Sequence, residues 1–157
     1  MASDFLLKIE GIRGESEDKD FPDHIEVKGW SYGMANPLDA ATRQRVGQVQ
    51  LTDLTIIKAL DKASPVLLEK CARNFTFDSA KLTVRKAGGQ QLGYFFVEMK
   101  KVRIRSLNTK ANDTDSITPV ETLVLTFQKI EWTYKEQSAL GTLKGEVKYQ
   151  HDISTNT

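Results

Sequence analysis

The sequence has 157 residues, twenty-two basic and twenty-one acidic side chains, a net charge of +1, one cysteine and two histidines. That length is one ordinary domain over residues 1–157, and the charge balance supplies no global field for nucleic acid or an anionic membrane. A single cysteine excludes an internal disulfide framework and any thiolate metal cluster.

The N-terminus MASDFLLKIEG has an acid where a signal peptide needs basic residues, and its apolar run is only Phe5-Leu6-Leu7. Apolar runs elsewhere, such as Tyr94 to Val97, are too short to span a bilayer. The expectation is a soluble chain made without a cleavable export signal. Glu15, Glu17, Asp18 and Asp20 make an acidic loop without the glycine and closing glutamate of a calcium loop, which reads as a solvated turn.

Ile25 to Tyr32 alternates as a strand, but its apolar positions are 25 and 27, then 30 and 32. The parity flips at Lys28-Gly29. It flips again between Leu51 and Leu54, Met99 and Val102, and Phe127 and Ile130. Such flips mean a bulge or a strand that buries one face and then the other, which is how a small barrel turns its corners. Residues 34 to 47, MANPLDAATRQRVG, form a long connection without clear periodicity, of a length that is usually functional or mobile.

Ser64 and Pro65 open a helix, with Ser64 as N-cap and Leu67, Leu68, Cys71 and Ala72 on one face. Cys71 reads as a small buried hydrophobe rather than a reactive thiol. Residues 79 to 99 read as a β-hairpin turning at AGGQQ, and Thr122 to Tyr134 as a long strand. Lys101, Arg103 and Arg105 share a strand face, with a polar loop from Asn108 to Pro119 beyond them. On a barrel this stripe allows a single-strand nucleic-acid binder as the alternative reading; a solvated face or a charged subunit contact is preferred.

GWSYG, Gly29 to Gly33, matches the G-x-S-x-G pattern of serine hydrolases. A nucleophile elbow needs a helix directly after the serine. Here Ser31 lies between two core-like aromatics, and the residue before Pro37 is pushed away from helical angles. His24 and His151 lack metal-ligand spacing and read as surface or interface histidines. Nothing in the sequence nominates a catalytic residue, metal or cofactor.

Read together, DFLLKIEGIRGES, EVKGWSYGM, VQLTDLTIIKALDKASPVLLEKC, AKLTVRKAGG, VETLVLTFQKIEWTY and EVKYQHDI resemble the Hcp (haemolysin-coregulated protein) family of type VI secretion systems. They occur in the family's order and span nearly the whole chain. The resemblance implies a mainly β fold, a small barrel of two antiparallel sheets with one flanking helix, six copies closing into a ring, and rings stacking into a tube. It implies a non-enzymatic tube subunit without cofactor, exported when a contracting sheath fires. Its implied partners are itself, the spike, sheath and baseplate, and small effectors carried in the lumen; nucleic acid and direct membrane insertion are not among them. The lumen candidates are Ser31 and Glu26. The stacking candidates are Met34, Arg43 and Arg45 in the long loop and Lys86, Gly88, Gly89, Gln90 and Gln91 at the hairpin turn. His151 and Asp152, in the tail, are stacking candidates for the opposite face.

Overall fold

The computed structural model describes residues 3–86, 92–112, 118–137 and 143–157. In chain order the elements are β1 (Ser3–Ile9), β2 (Ile25–Ser31), β3 (Met34–Ala35), β4 (Gln50–Leu51), β5 (Leu54–Ala59), α1 (Ser64–Ala72), β6 (Phe77–Lys86), β7 (Gly93–Lys110), β8 (Val120–Thr126), β9 (Lys129–Gln137) and β10 (Leu143–Asp152). All ladders are antiparallel. The main sheet runs β10-β9-β7-β6-β1-β2-β5-β8, and β8 also pairs with β7. Six strands therefore close a barrel, and β9 and β10 continue beyond it as an open flap. The expected barrel and flanking helix are both present. The two sheets are halves of one continuous ladder, joined through β7.

β7 explains how. Its first half, Phe95 to Lys100, pairs with β9, and its second half, Arg103 to Lys110, pairs with β8. The corner lies between. Lys101 has φ 53°, and β6 keeps register across it, with Ser79 opposite Lys100 and Phe77 opposite Val102. Both strands thus change face together, leaving Asp78 and Lys101 outside, 3.9 Å apart, while Phe77 and Val102 turn inward. The parity flip between Met99 and Val102 is this corner.

The other flips have different causes. At Lys28-Gly29 the β2–β5 register shifts between Val27 and Gly29, the bulge expected from the sequence. Trp30 and Tyr32 then pack against the same core as Ile25 and Val27. Between Leu51 and Leu54 the chain changes sheets, since β4 pairs with β3 and β5 belongs to the barrel. The single strand expected over Thr122 to Tyr134 is two strands. Phe127 and Gln128 break it at the corner, where Gln128 N donates to Lys100 O at 3.1 Å.

The helix departs from expectation at both ends of its pattern. Ser64 is its first residue, behind an Ala63 N-cap, and makes no capping bond. Its hydroxyl donates to Glu121 Oε1 at 2.6 Å and accepts from Lys58 Nζ at 3.2 Å. The buried stripe is Ala63, Ser64 and Leu67, with Cys71 partly buried against the core; Leu68 is 51% exposed. Leu68 lies 100° around the helix from Leu67, beyond the stripe that nine residues lay on the barrel.

The barrel holds one apolar cluster in which Leu7, Ile9, Leu54, Ile56, Leu82 and Leu123 are 0% exposed. One end is closed by charge. Lys58 Nζ lies 2.5 Å from Glu121 Oε1 and 3.0 Å from Asp61 Oδ1, and Thr109 donates to Glu121 Oε2 at 2.9 Å. Outside, the acidic loop is anchored rather than merely solvated. Asp18 pairs with the buried Arg85, and Glu15 accepts from Lys62 N at 2.6 Å. Gly14 sits so close to this fold that an added Cβ would lie 2.4 Å from His24 O and 2.7 Å from Ile25 Cα. Gly14→Ala should therefore cost about 1–3 kcal/mol in a urea titration. A neutral result would mean that the loop's position is not fixed by this contact.

Candidate functional site

Two surfaces gather the residues singled out in the sequence. The first is the outer face of β2, β5, β8 and the second half of β7. Alternation sends Leu54, Ile56, Leu123 and Leu125 inward, so the residues between them face out. Gly29, Ile57, Thr122 and Asn108 form one cross-strand row. Ser31, Thr55, Val124 and Ser106 form the next. None of these eight is charged. Glu26 and Lys28 lie on the β2 part of the face, and Lys110, Arg103 and Arg105 mark the β7 side. Ser31 and Glu26 are both exposed and share this face, as the bulge argument requires.

Ser31 is the last residue of β2, the next element is the strand β3 rather than a helix, and Thr55 and Val124 share its row rather than a base. The hydrolase reading of GWSYG fails on geometry. Behind it an aromatic row fills the barrel mouth. Trp30 stacks on Tyr32 at 5.9 Å and on Phe95 at 5.9 Å, and Tyr32 meets Trp132 at 5.7 Å.

The second surface is a cleft of about 440 Å³ between the long loop and the tail, lined among others by Met34, Arg45, Tyr149, His151, Asn156 and Thr157. The tail was expected on the face opposite the loop. Instead the two line one cleft, because β10 pairs antiparallel with β9 through Asp152 and the chain then turns at Asp152. His151, expected at the surface or an interface, is 4% exposed within the chain, with Nδ1 3.1 Å from Tyr149 Oη. The Asp152 carboxylate accepts from Ser154 Oγ at 2.6 Å and Ser154 N at 2.9 Å, and the Ser154 hydroxyl above all holds its pKa below the ordinary value.

The long loop is a built hairpin. β3 pairs with β4, and Leu38 bridges Arg45. The Asp39 carboxylate accepts from Thr42 N at 2.8 Å and Ala41 N at 2.9 Å, and these amides lower its pKa. Arg43, with φ 62°, completes the turn, and its N–H donates to Asp39 O. Leu38 and Val46 remain 51% and 65% exposed at its tip. Of the hairpin-turn candidates, Lys86 is exposed at the end of β6; Gly88, Gly89, Gln90 and Gln91 lie outside the described residues.

The basic stripe is largely spent within the chain. Lys101 pairs with Asp78, Arg105 pairs with Asp53, and Arg103 Nε donates to Thr76 Oγ1 at 2.9 Å. Two of the three cations thus face a carboxylate, which weakens the positive track that a nucleic-acid strand requires. An oligonucleotide should show no salt-sensitive binding at physiological ionic strength, and micromolar binding lost in Arg103→Ala would contradict this. Among the described residues no group of three or more His, Cys, Asp or Glu side chains could hold a metal ion. No described helix is long and apolar enough to cross a membrane.

Residues 6–134 match the family described as type VI secretion system effector, Hcp. The chain is 35% identical to protein hcp1 of Pseudomonas aeruginosa over 99% of its own length and 98% of that protein's. This chain belongs to the Hcp family. Among solved structures it resembles Hcp1 of Salmonella typhimurium, with TM-score 0.82 and 29% identity over 100% of this chain and 99% of that one. A type six secretion system protein gives TM-score 0.93 at 22% identity, with 99% of each chain covered, which supports the fold. The Hcp chain is thus a subunit of the secretion tube, from a structural and secreted family rather than an enzyme family. The nucleic-acid alternative finds no support.

Proposed function

We propose that this Hcp chain closes into rings of six, that the outer face of β2, β5, β8 and β7, uncharged in its two central rows, forms the lumen wall, and that rings stack through the long loop, the 86–91 turn and the tail. The observation that carries the reading is the paving of β2, β5, β8 and β7 with Gly, Ser, Thr, Asn, Val and one Ile. Central rows without fixed charge hold cargo by many weak contacts and release it without breaking ion pairs. Ser31 and Glu26 then meet small effector proteins. The spike, sheath and baseplate engage the assembled tube, which is cytoplasmic before firing and extracellular after it, with residues 1–157 acting as one domain.

Six chains of 17.7 kDa give about 106 kDa, which native mass measurement at about 0.5 M salt should find. A stable single chain across micromolar concentrations would end this reading. Ser31→Ala should leave fold and ring unchanged and remove no ester hydrolysis. Ser31→Arg should keep the ring and reduce effector retention, because it places charge in the neutral rows. Unchanged retention would move the cargo surface elsewhere.

A further inference from the structure

The outer face of β7 and β9 carries a charge pattern that the ladder itself does not favour. Glu98 stands directly opposite Glu131, and two residues along Lys100 stands directly opposite Lys129. Like charges facing each other across a ladder work against pairing. Exchanging the two residues on either strand would put opposite charges face to face in both rows. The diagonals are opposite in sign, yet none of these four side chains makes an ion pair or hydrogen bond among the described residues.

Neighbouring charges are otherwise engaged. Lys81, opposite Glu98 on β6, holds its ammonium 4.9 Å from the Phe96 ring centroid. Asp152, opposite Lys129 on β10, is bound by Ser154 and feels the Lys129 charge only as a weaker influence beyond ion-pair distance. Lys148 pairs with Glu146 at 3.7 Å. The four groups, none in an ion pair or hydrogen bond among the described residues, line a shallow concavity of about 180 Å³ with Gln150. Inward, Val97 and Met99 are 0% exposed, so the face is carried on a rigid wall.

Two glutamates beside two lysines form a self-complementary pattern. A two-fold axis between facing sheets, along the direction joining each pair, lays the glutamate row of one copy on the lysine row of the other. We propose that this face is a two-fold contact with a second copy of the chain, in which Glu98 and Glu131 of each copy bind Lys100 and Lys129 of the other. Such an isologous contact is distinct from the head-to-tail contacts that close a ring. It joins whatever unit carries the face, ring or single chain, to another, and so does not rest on the tube reading.

The test uses the full chain at about 50 µM, followed by native mass measurement and light scattering. At about 0.5 M salt, where the screening length is near 4 Å, the mass reports the basal unit. At about 20 mM salt the mass should at least double. E98K/E131K and K100E/K129E should each lose this step, with circular dichroism unchanged. Mixing the two variants in equal amounts should restore it, since one then presents four lysines and the other four glutamates. The quadruple exchange E98K/K100E/K129E/E131K should restore it in a single protein. A wild-type mass independent of salt would overturn the proposal. So would either double variant associating alone, or folded variants that fail to associate when mixed, which would leave the pattern to a different protein partner or to solvent. The high-salt mass separately reads the ring, so the two ideas fail independently.

Discussion

Lys58→Met should destabilise the protein by about 3–5 kcal/mol, because it leaves Glu121 ionised in the barrel with no counter-ion. Both side chains are 0% exposed. Their charges are tolerated only because every polar atom of the pair is met. Lys58 Nζ reaches Glu121, Asp61 and Ser64, while Glu121 also accepts from Thr109. Replacing both by apolar residues, Lys58→Met with Glu121→Leu, should recover most of the loss, since a buried ion pair gains little over a packed apolar pair. A single-variant cost under about 1 kcal/mol in chemical denaturation would show that water reaches the site. The pH dependence has a definite sign. Burial pushes the Glu121 carboxyl up, but the bonds from Lys58, Ser64 and Thr109 outweigh it and hold the pKa below the ordinary value. The contribution is therefore complete above the unfolded glutamate range and lost as pH falls through the depressed folded value. Because Asp61 and Ser64 sit at the start of α1, the same loss should loosen the helix from the barrel end.

That pair was legible in principle. In LTIIKA the inward positions are Leu54, Ile56 and Lys58; in VETLVLT they are Glu121, Leu123 and Leu125. Opposite charges on the inward rows of two strands are a readable sign of an internal ion pair. What concealed it was treating charge as a mark of the outward face. The bulge at Lys28-Gly29 was legible because Gly29 and the apolar parity agreed. The corner at Lys101 was visible only as a flip, since its cause is a bend shared by β6 and β7 and not a property of one strand. Ser64 was misread because local capping chemistry lost to a tertiary demand from Lys58 and Glu121. The position of the tail was not legible at all. It follows from β10 pairing with β9 in a register that places His151 opposite Ile130.

Arg85→Met should cost about 2–3 kcal/mol and release the 14–24 loop, a smaller loss than at Lys58 because the stranded carboxylates can regain water. Arg85 faces outward from β6, yet its side chain is 5% exposed. It pairs with Asp18, lies 3.3 Å from Asp4 Oδ2, and packs its guanidinium 5.2 Å from the Phe21 ring centroid. Those contacts hold the loop over the β1–β6 face, where Leu6 and Thr83 point away from the core and are nevertheless 4% and 2% exposed. The hydrogen bond from Arg85 is the main reason that Asp18 titrates at about 2. Its folded pKa is depressed, so its contribution is present above the unfolded aspartate range near 4 and disappears as pH falls toward 2. The protection of the Gly14 and Ser16 amides, whose N–H groups bond to Asp23 O and His24 O, measured as exchange relative to an unstructured chain at the same pH, should therefore fall across that window in wild type. In Arg85→Met the same amides should already be less protected at neutral pH and lose little further protection on acidification. Equal protection in the two proteins at neutral pH would mean that the loop is held by its own backbone bonds, with Arg85 a passenger.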